Sequence, residues 1–216
     1  KFVESDVPYF PLQIPVGRYP SRLAVDRSHK RLFVLNYLDK SISVVDTVNL
    51  VEGGFPQIVD GKVVRIDQEG KPLRKDIGIY GSDIKTVYNN VLSKEFLIVS
   101  GIDNNLSGRL LIIDIDEETS NGELNEDAAK TLFDLNLDII PSDIASASEG
   151  DNIFVGSKDK NKFVMINLSS QGLIYIDAPL IPDIVRINTD NLYLVDTVLS
   201  RFAVFNISKM GYISVL

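Results

Sequence analysis

A chain of 216 residues, 44% hydrophobic and 24% charged, is long enough to bury one sizeable core, and this composition excludes wholesale disorder. A formal net charge of −8 argues against a nucleic-acid surface, which needs a basic face, and favours cationic or basic partners. Cysteine is absent, which excludes disulfides, thiolate metal sites and a cysteine nucleophile, and no apolar run approaches the roughly 20 residues that span a bilayer.

The chain opens at Lys1, without a methionine or a basic-then-apolar leader. We therefore expect its natural start to have been removed, together with any signal peptide or lipid anchor. A leading outer strand, LQIPV (12–16), is followed by the turn YPSRLAV (19–25) and the strands RLFVLN (31–36) and SISVVD (41–46). Residues 50–76 interrupt the pattern. Within them VDGKV (59–63) places Asp-Gly between apolar runs, a two-residue hairpin signal. That hairpin either projects from its sheet or completes the outer strand.

A second unit follows, with the turn YGSDIKTV (80–87) and the strands EFLIVSG (95–101), RLLIID (109–114) and KTLFDLNL (130–137). The stretch LNEDAAKTLF (124–133) is the one helical candidate, a single short turn. The third unit is IPSDIASA (140–147), NIFVGS (152–157), KFVMIN (162–167) and GLIYIDA (172–178). The fourth is IPDIVRI (181–187), NLYLVD (191–196), RFAVFN (201–206) and GYISVL (211–216).

Spacing makes these four units a repeat. Leu23 to Asp46, Ile144 to Asn167 and Ile184 to Asn206 span 23, 23 and 22 residues, and Ile84 to Asp114 spans 30 because its loop DNNLSGR is longer. Leu23, Ile84, Ile144 and Ile184 follow one another at 61, 60 and 40 residues. A minimal unit of about 40 residues with four short strands rich in β-branched and aromatic residues has the length of a propeller blade. The predicted fold is therefore all-β, a single β-propeller domain over residues 1–216 with units near 12–50, 77–137, 138–178 and 179–216. Either four blades close a ring, or they form an arc of a larger one. Starting and stopping in strands favours the arc, whose apolar flank then needs more chain or a partner to cover it.

The turn GRYPSRLAVD and the strands RLFVLN and SISVVDT resemble the YVTN-type β-propeller repeat, whose consensus has a Gly-x-x-Pro turn, a strand ending Tyr-Val-Thr-Asn, then Val-Ser-Val-Ile-Asp-Thr. IPVG (14–17) fits the outer strand leading into the turn; FLIVSG and NIFVGS keep the pattern but not the letters. The resemblance spans about residues 12–216 and implies fold far more than function.

In a propeller, the turns entering the innermost strands and the loops joining second to third strands share one face around the channel. The turns place Asp83, Asp143 and Asp183 there, with Arg22 in the first unit, and the loops add Asp39, Asp103, Asp159 and Asp196. One reading is an acidic mouth that attracts a cation or a basic partner segment. The favoured reading is structural: such residues cap their own turns, and Lys40, Arg109, Lys162 and Arg201 stand close enough in sequence to neutralise the loop acids.

Asp114, Asp116 and Glu118 alternate, so on a strand they share a face and become candidate calcium ligands. The stretch fails the EF-hand pattern, lacking glycine at the sixth position and glutamate at the twelfth, and a solvated loop is favoured. His29 is the only histidine and sits in the turn DRSHKR, and neither a Gly-x-Ser-x-Gly elbow nor a phosphate-cradling loop is present. Tyr37, Tyr80, Phe154 and Tyr193 read as core or channel-lining residues.

These residues lead us to expect a non-enzymatic scaffold without a cofactor, whose partner is another protein or a missing part of the same propeller. The YVTN resemblance implies a periplasmic, secreted or cell-surface setting. Propellers of lactonase-like or quinoprotein-dehydrogenase type imply a rival, an enzyme working from the acids and arginines of the mouth. A third alternative is a propeller holding structural calcium.

Overall fold

The computed structural model describes residues 13–118, 122–147 and 150–216. Short runs of Val, Ile, Leu, Phe and Tyr separated by tight turns pair as antiparallel hairpins, and four successive sheets result. The first contains β1 (Pro20–Val25), β2 (Arg31–Asn36), β3 (Ser41–Asp46) and the two-residue β4 (Val51–Glu52). A separate hairpin of β5 (Gln57–Val59) and β6 (Lys62–Val64) turns at Asp60-Gly61, both at positive φ, as its sequence requires. After it β7 (Lys75–Asp76) returns to pair with β3.

The outer edge of the first sheet is thus assembled from both ends of the insertion, while its tip forms the free hairpin. The VDGKV hairpin thus projects, and it is the flanking β4 and β7, not the hairpin, that complete the outer edge. Residues 13–16 form no strand, and Leu12 of the expected leading strand lies outside the described residues. Residues 126–129 are a turn rather than a helical one.

The second sheet comprises β8 (Tyr80–Asn89), β9 (Lys94–Ile102), β10 (Gly108–Asp114) and β11 (Thr131–Leu137). The third comprises β12 (Pro141–Ser146), β13 (Asn152–Ser157), β14 (Lys162–Asn167) and β15 (Gly172–Asp177). The fourth comprises β16 (Ile184–Asn188), β17 (Asn191–Asp196), β18 (Arg201–Asn206) and β19 (Gly211–Val215). The sheets stand as propeller blades, with β1 packed on β8, β8 and β12 on each other, and β12 on β16.

Side chains alternate across each strand, so one strand feeds two cores. On β9, Leu97 and Val99 face Phe33, Leu35, Ile42 and Val44 of the first blade, whereas Phe96 and Ile98 join Ile144, Ile153 and Val155 of the third. On β13, Phe154 turns the other way, to Phe163, Leu192, Leu194 and Phe205. Each such side chain contributes about 1.5–3 kcal/mol by leaving water. Four blades therefore share three cores, and among the described residues no core joins the fourth blade to the first. The arrangement is an arc.

The turns into the inner strands carry one extra residue in the first three blades, where pairing slips between Pro20 and Arg22, Gly81 and Asp83, and Pro141 and Ile144. In the fourth, β16 pairs without a break from Ile184. Val185, three residues after Pro182 as Ile144 is after Pro141, and not the expected Ile184, takes the buried place of Ile84 and Ile144 against the preceding blade. Leu23, at the same place in the first blade, is 62% exposed.

Candidate functional site

The inner strands of the four blades line an open cavity of about 390 Å³ that includes Leu23, Val25, Asp83, Lys85, Asp143 and Arg186. Among the described residues no backbone ladder joins one inner strand to the next, and side chains make the connection. Thr86 Oγ1 donates to the carbonyl of Val25 at 2.6 Å, and Lys85 Nζ donates to that of Ile144 at 3.1 Å. Asp83 Oδ2 accepts the N–H of Ile144 at 2.9 Å. One blade further, Asp143 Oδ2 accepts the N–H of Val185 at 2.9 Å and pairs with the Arg186 guanidinium.

Arg22 Nε stands 3.8 Å from Asp83 Oδ1, too far for a hydrogen bond. Burial pushes the Asp83 carboxyl up to about 6, and the neighbouring charge of Asp143 adds to the shift, against the pull of the Ile144 and Ile84 N–H groups. Asp83 and Asp143 are thus brought together across two blades.

Asp183 does not join them. Asp183 directly follows Pro182, whereas Asp143 stands two residues after Pro141, and its carboxylate stays within its own blade, accepting the N–H of Thr197 at 3.1 Å and the Thr197 hydroxyl. The loop acids are dispersed as well. Asp39 accepts the backbone N–H of Arg18 at 2.7 Å and its guanidinium, and these hydrogen bonds hold its carboxyl below the usual range. Asp103 accepts the N–H groups of Asn105 at 2.8 Å and Ser107 at 3.0 Å, with Arg109 at 3.7 Å. Asp159 accepts the N–H of Ile140 at 2.7 Å, and Asp196 accepts that of Leu199 at 2.8 Å and Arg201 at 3.1 Å.

Arg109 and Arg201 therefore meet their neighbouring loop acids, but the two lysines do not. Lys40 lies 4.1 Å from the Tyr80 ring centre and donates to Asn104 Oδ1, and Lys162 lies 3.5 Å from Asp138.

At the other end of the blades a cavity of about 820 Å³ opens between the first and second, lined by Asp26, Lys30, Arg31, Asp46, Arg65, Asp116, Glu117 and Glu118, among others. Arg31 organises its floor, donating to Asp26 at 2.9 Å, Glu117 at 3.2 Å and the Ile115 carbonyl at 2.8 Å. Arg65, just beyond the inserted hairpin, pairs with the same Glu117 and so straps the insertion to the second blade. Its lining comes from segments far apart in sequence, and of its residues the sequence reading singled out Asp116 and Glu118, as candidate calcium ligands.

The proposed calcium set is not assembled here, because β10 ends at Asp114 and the alternation ends with it. Asp114 is fully buried against Lys94 Nζ at 2.7 Å, and Asp116 accepts the N–H of Glu95 at 2.8 Å. Burial raises the carboxyls of both Asp116 and Glu95. Glu118 lines the cavity wall. Among the described residues, no three His, Cys, Asp or Glu side chains gather to hold a metal. No helix is long and apolar enough to cross a membrane among the described residues. His29 occupies its turn at positive φ, and its carbonyl accepts the Thr47 hydroxyl.

Of the aromatic residues singled out in the sequence, Phe154 is in the core, whereas Tyr37 and Tyr80 stack at the channel-mouth end with Tyr19. Tyr193 is half-buried on the fourth blade, on the face turned away from the third.

Solved structures reproduce this architecture. The chain is similar to the dihydro-heme d1 dehydrogenase NirN, solved with DHE, at TM-score 0.56 and 14% identity over 89% of this chain and 37% of that one. It is similar to a chain of the nidogen/laminin complex at TM-score 0.57 and 10% identity, covering 91% and 63%, and to the Pan2 WD40 domain of Neurospora crassa at 0.56 and 9%, covering 87% and 49%.

This chain has the β-propeller fold. It spans between about a third and just under two thirds of the length of these propellers. No protein-family model matches the chain, and neither does any curated protein. At such identities the likeness concerns the propeller alone, and those propellers include scaffolds as well as an enzyme-related protein.

Proposed function

We propose that this propeller is a rigid, non-catalytic scaffold that binds another protein through the channel-mouth end of its blades. One observation carries the reading: the ionisable groups of the mouth are engaged in holding blades together, Asp83 on Ile144 and Asp143 on Val185 and Arg186. A catalytic acid or base needs a free lone pair or proton aimed at an open space. Around this face the exposed side chains include a set of apolar ones, Leu38, Leu106, Val198 and Leu199, on the loops joining second to third strands. Loops displayed by a rigid scaffold are common binding elements. The resemblance to YVTN repeats supports an exported or cell-surface setting.

Quantitative capture from an extract of the source cells tests this reading. The comparison is between the parent chain, a variant with Leu38, Leu106 and Val198 changed to Ser, and Asp83→Asn. A scaffold loses the same captured protein with the first variant and keeps it with the second. The reverse pattern overturns the proposal and favours chemistry at the mouth.

A further inference from the structure

At the channel-mouth end, the first two blades carry an aromatic ridge. The Tyr19 and Tyr37 ring centres are 5.9 Å apart, those of Tyr37 and Tyr80 are 5.3 Å apart, and Lys40 lies 4.1 Å from the Tyr80 ring centre while bonding Asn104 on the next blade's loop. Tyr19 is 65% exposed, and the flanking Leu38 and Leu106 are 52% and 67% exposed. The Tyr19 backbone is held at φ 57°, a costly conformation for a bulky residue, while its carbonyl accepts the Tyr37 N–H at 3.0 Å. The ring is therefore kept on the surface by the backbone beneath it. Among the described residues none of the three hydroxyls has a protein partner, although tyrosine hydroxyls that settle into a fold usually find one.

We propose that Tyr19, Tyr37, Leu38, Tyr80 and Leu106 form a docking ridge for an extended segment of a partner protein that sets arginine beside apolar side chains, a proposal that rests on the scaffold reading above. Three features choose this occupant. Tyrosine faces attract guanidinium groups, and the fold itself shows the affinity by seating Lys40 on Tyr80, while Tyr19 and Tyr37 carry no cation. Asp39 is paired with Arg18 and Asp103 lies 3.7 Å from Arg109, while the charge of Lys40 is held between the Tyr80 face and Asn104, which leaves the Tyr19 end of the ridge for a guanidinium. The chain's net charge of −8 speeds the approach of a basic partner. Leu38 and Leu106 then supply the apolar contacts that exclude water around the rings.

The test uses the full chain immobilised and panned against a random twelve-residue peptide library on phage. Enriched peptides are expected to combine arginine with leucine, isoleucine or an aromatic residue. Binding of a selected synthetic peptide should weaken at least tenfold with Tyr19→Ser plus Tyr37→Ser, and again with Leu106→Ser, at unchanged melting temperature. Val91→Ser, an exposed change at the opposite end of the second blade, should leave it intact. No enrichment, enrichment of peptides without basic residues, or indifference to the ridge variants overturns the ridge. If binding survives those variants but is lost with Val198→Ser plus Leu199→Ser, the scaffold stands and the ridge falls. If nothing on this face matters, both fall.

Discussion

Asp83 of the second blade accepts the N–H of Ile144 on the third at 2.9 Å, so a carboxylate side chain substitutes for the backbone ladder that neighbouring blades lack. The clamp is in tension with its surroundings, because burial and Asp143 both oppose the negative charge. The folded carboxyl, raised to about 6, lies above the value near 3.9 expected of an unfolded chain. Arg22 of the first blade stands 3.8 Å from it and Arg186 of the fourth pairs with Asp143, and the shift is upward all the same.

The sign of the pH dependence follows. Between about pH 4 and pH 6 the folded state binds more protons than the unfolded, so this group's contribution to stability falls as pH rises through that window and stays low above it. Asp83→Asn keeps an acceptor for Ile144 and offers a donor to Asp143. It should stabilise the chain by about 1–3 kcal/mol at pH 7.5 and change little at pH 4. Urea melts at the two pH values decide it, and a variant less stable than the parent at pH 7.5 shows the carboxylate to be the better clamp.

Much of this architecture is legible in the residues because alternation and turn chemistry are local signals. RLFVLN and SISVVD announce two strands, and VDGKV announces its hairpin. The seams between blades are harder to read. That Leu97 faces backward and Phe96 forward is set by which neighbour each side of β9 meets, and the meeting partners are tens of residues away. The placement of Asp183 depends on its following Pro182 directly, where Asp143 stands two residues after Pro141, a shift that aligning the turns on their Asp-Ile pairs disguises. Likewise, Asp114 looks like a metal ligand in sequence only because its partner Lys94 lies on another strand.

Gly101 illustrates a constraint that composition conceals. A Cβ there would sit 2.3 Å from the Tyr80 carbonyl oxygen and 2.9 Å from the Gly81 Cα, both backbone atoms that cannot rotate away. Gly101→Ala should cost about 2 kcal/mol or more. Gly61→Ala, where nothing lies within 4 Å but φ is +70°, should cost only about 1 kcal/mol. Paired denaturation midpoints that reverse this order contradict the close approach of β8 and β9.

The insertion holds part of the core. Phe55 is 1% exposed and its ring centre lies 6.1 Å from that of Phe33. Its N–H donates to the Leu73 carbonyl at 2.6 Å, which fastens the base of the insertion. Phe55→Ala should destabilise the chain by about 3–5 kcal/mol. Val59→Ser at the exposed hairpin tip should stay within about 0.5 kcal/mol. Equal effects at the two positions count against a structural role for the base.

Asp114 and Lys94 give the last prediction. The carboxylate is fully buried and its amine partner stands 2.7 Å away, so removing the amine leaves a charge out of water with only the Asp116 N–H, at 3.1 Å, to offset it. Lys94→Met should therefore cost about 3 kcal/mol at pH 7, read from its urea midpoint against that of the parent. Adding Asp114→Leu to Lys94→Met removes the stranded charge and should recover part of the loss, because an apolar pair of similar volume suits a buried seam. A double variant weaker than the sum of the single changes means that Asp114 does more than pair with Lys94. In that event, a rise in melting temperature of Lys94→Met on adding excess calcium shows the carboxylate to be free for a metal once the amine is gone.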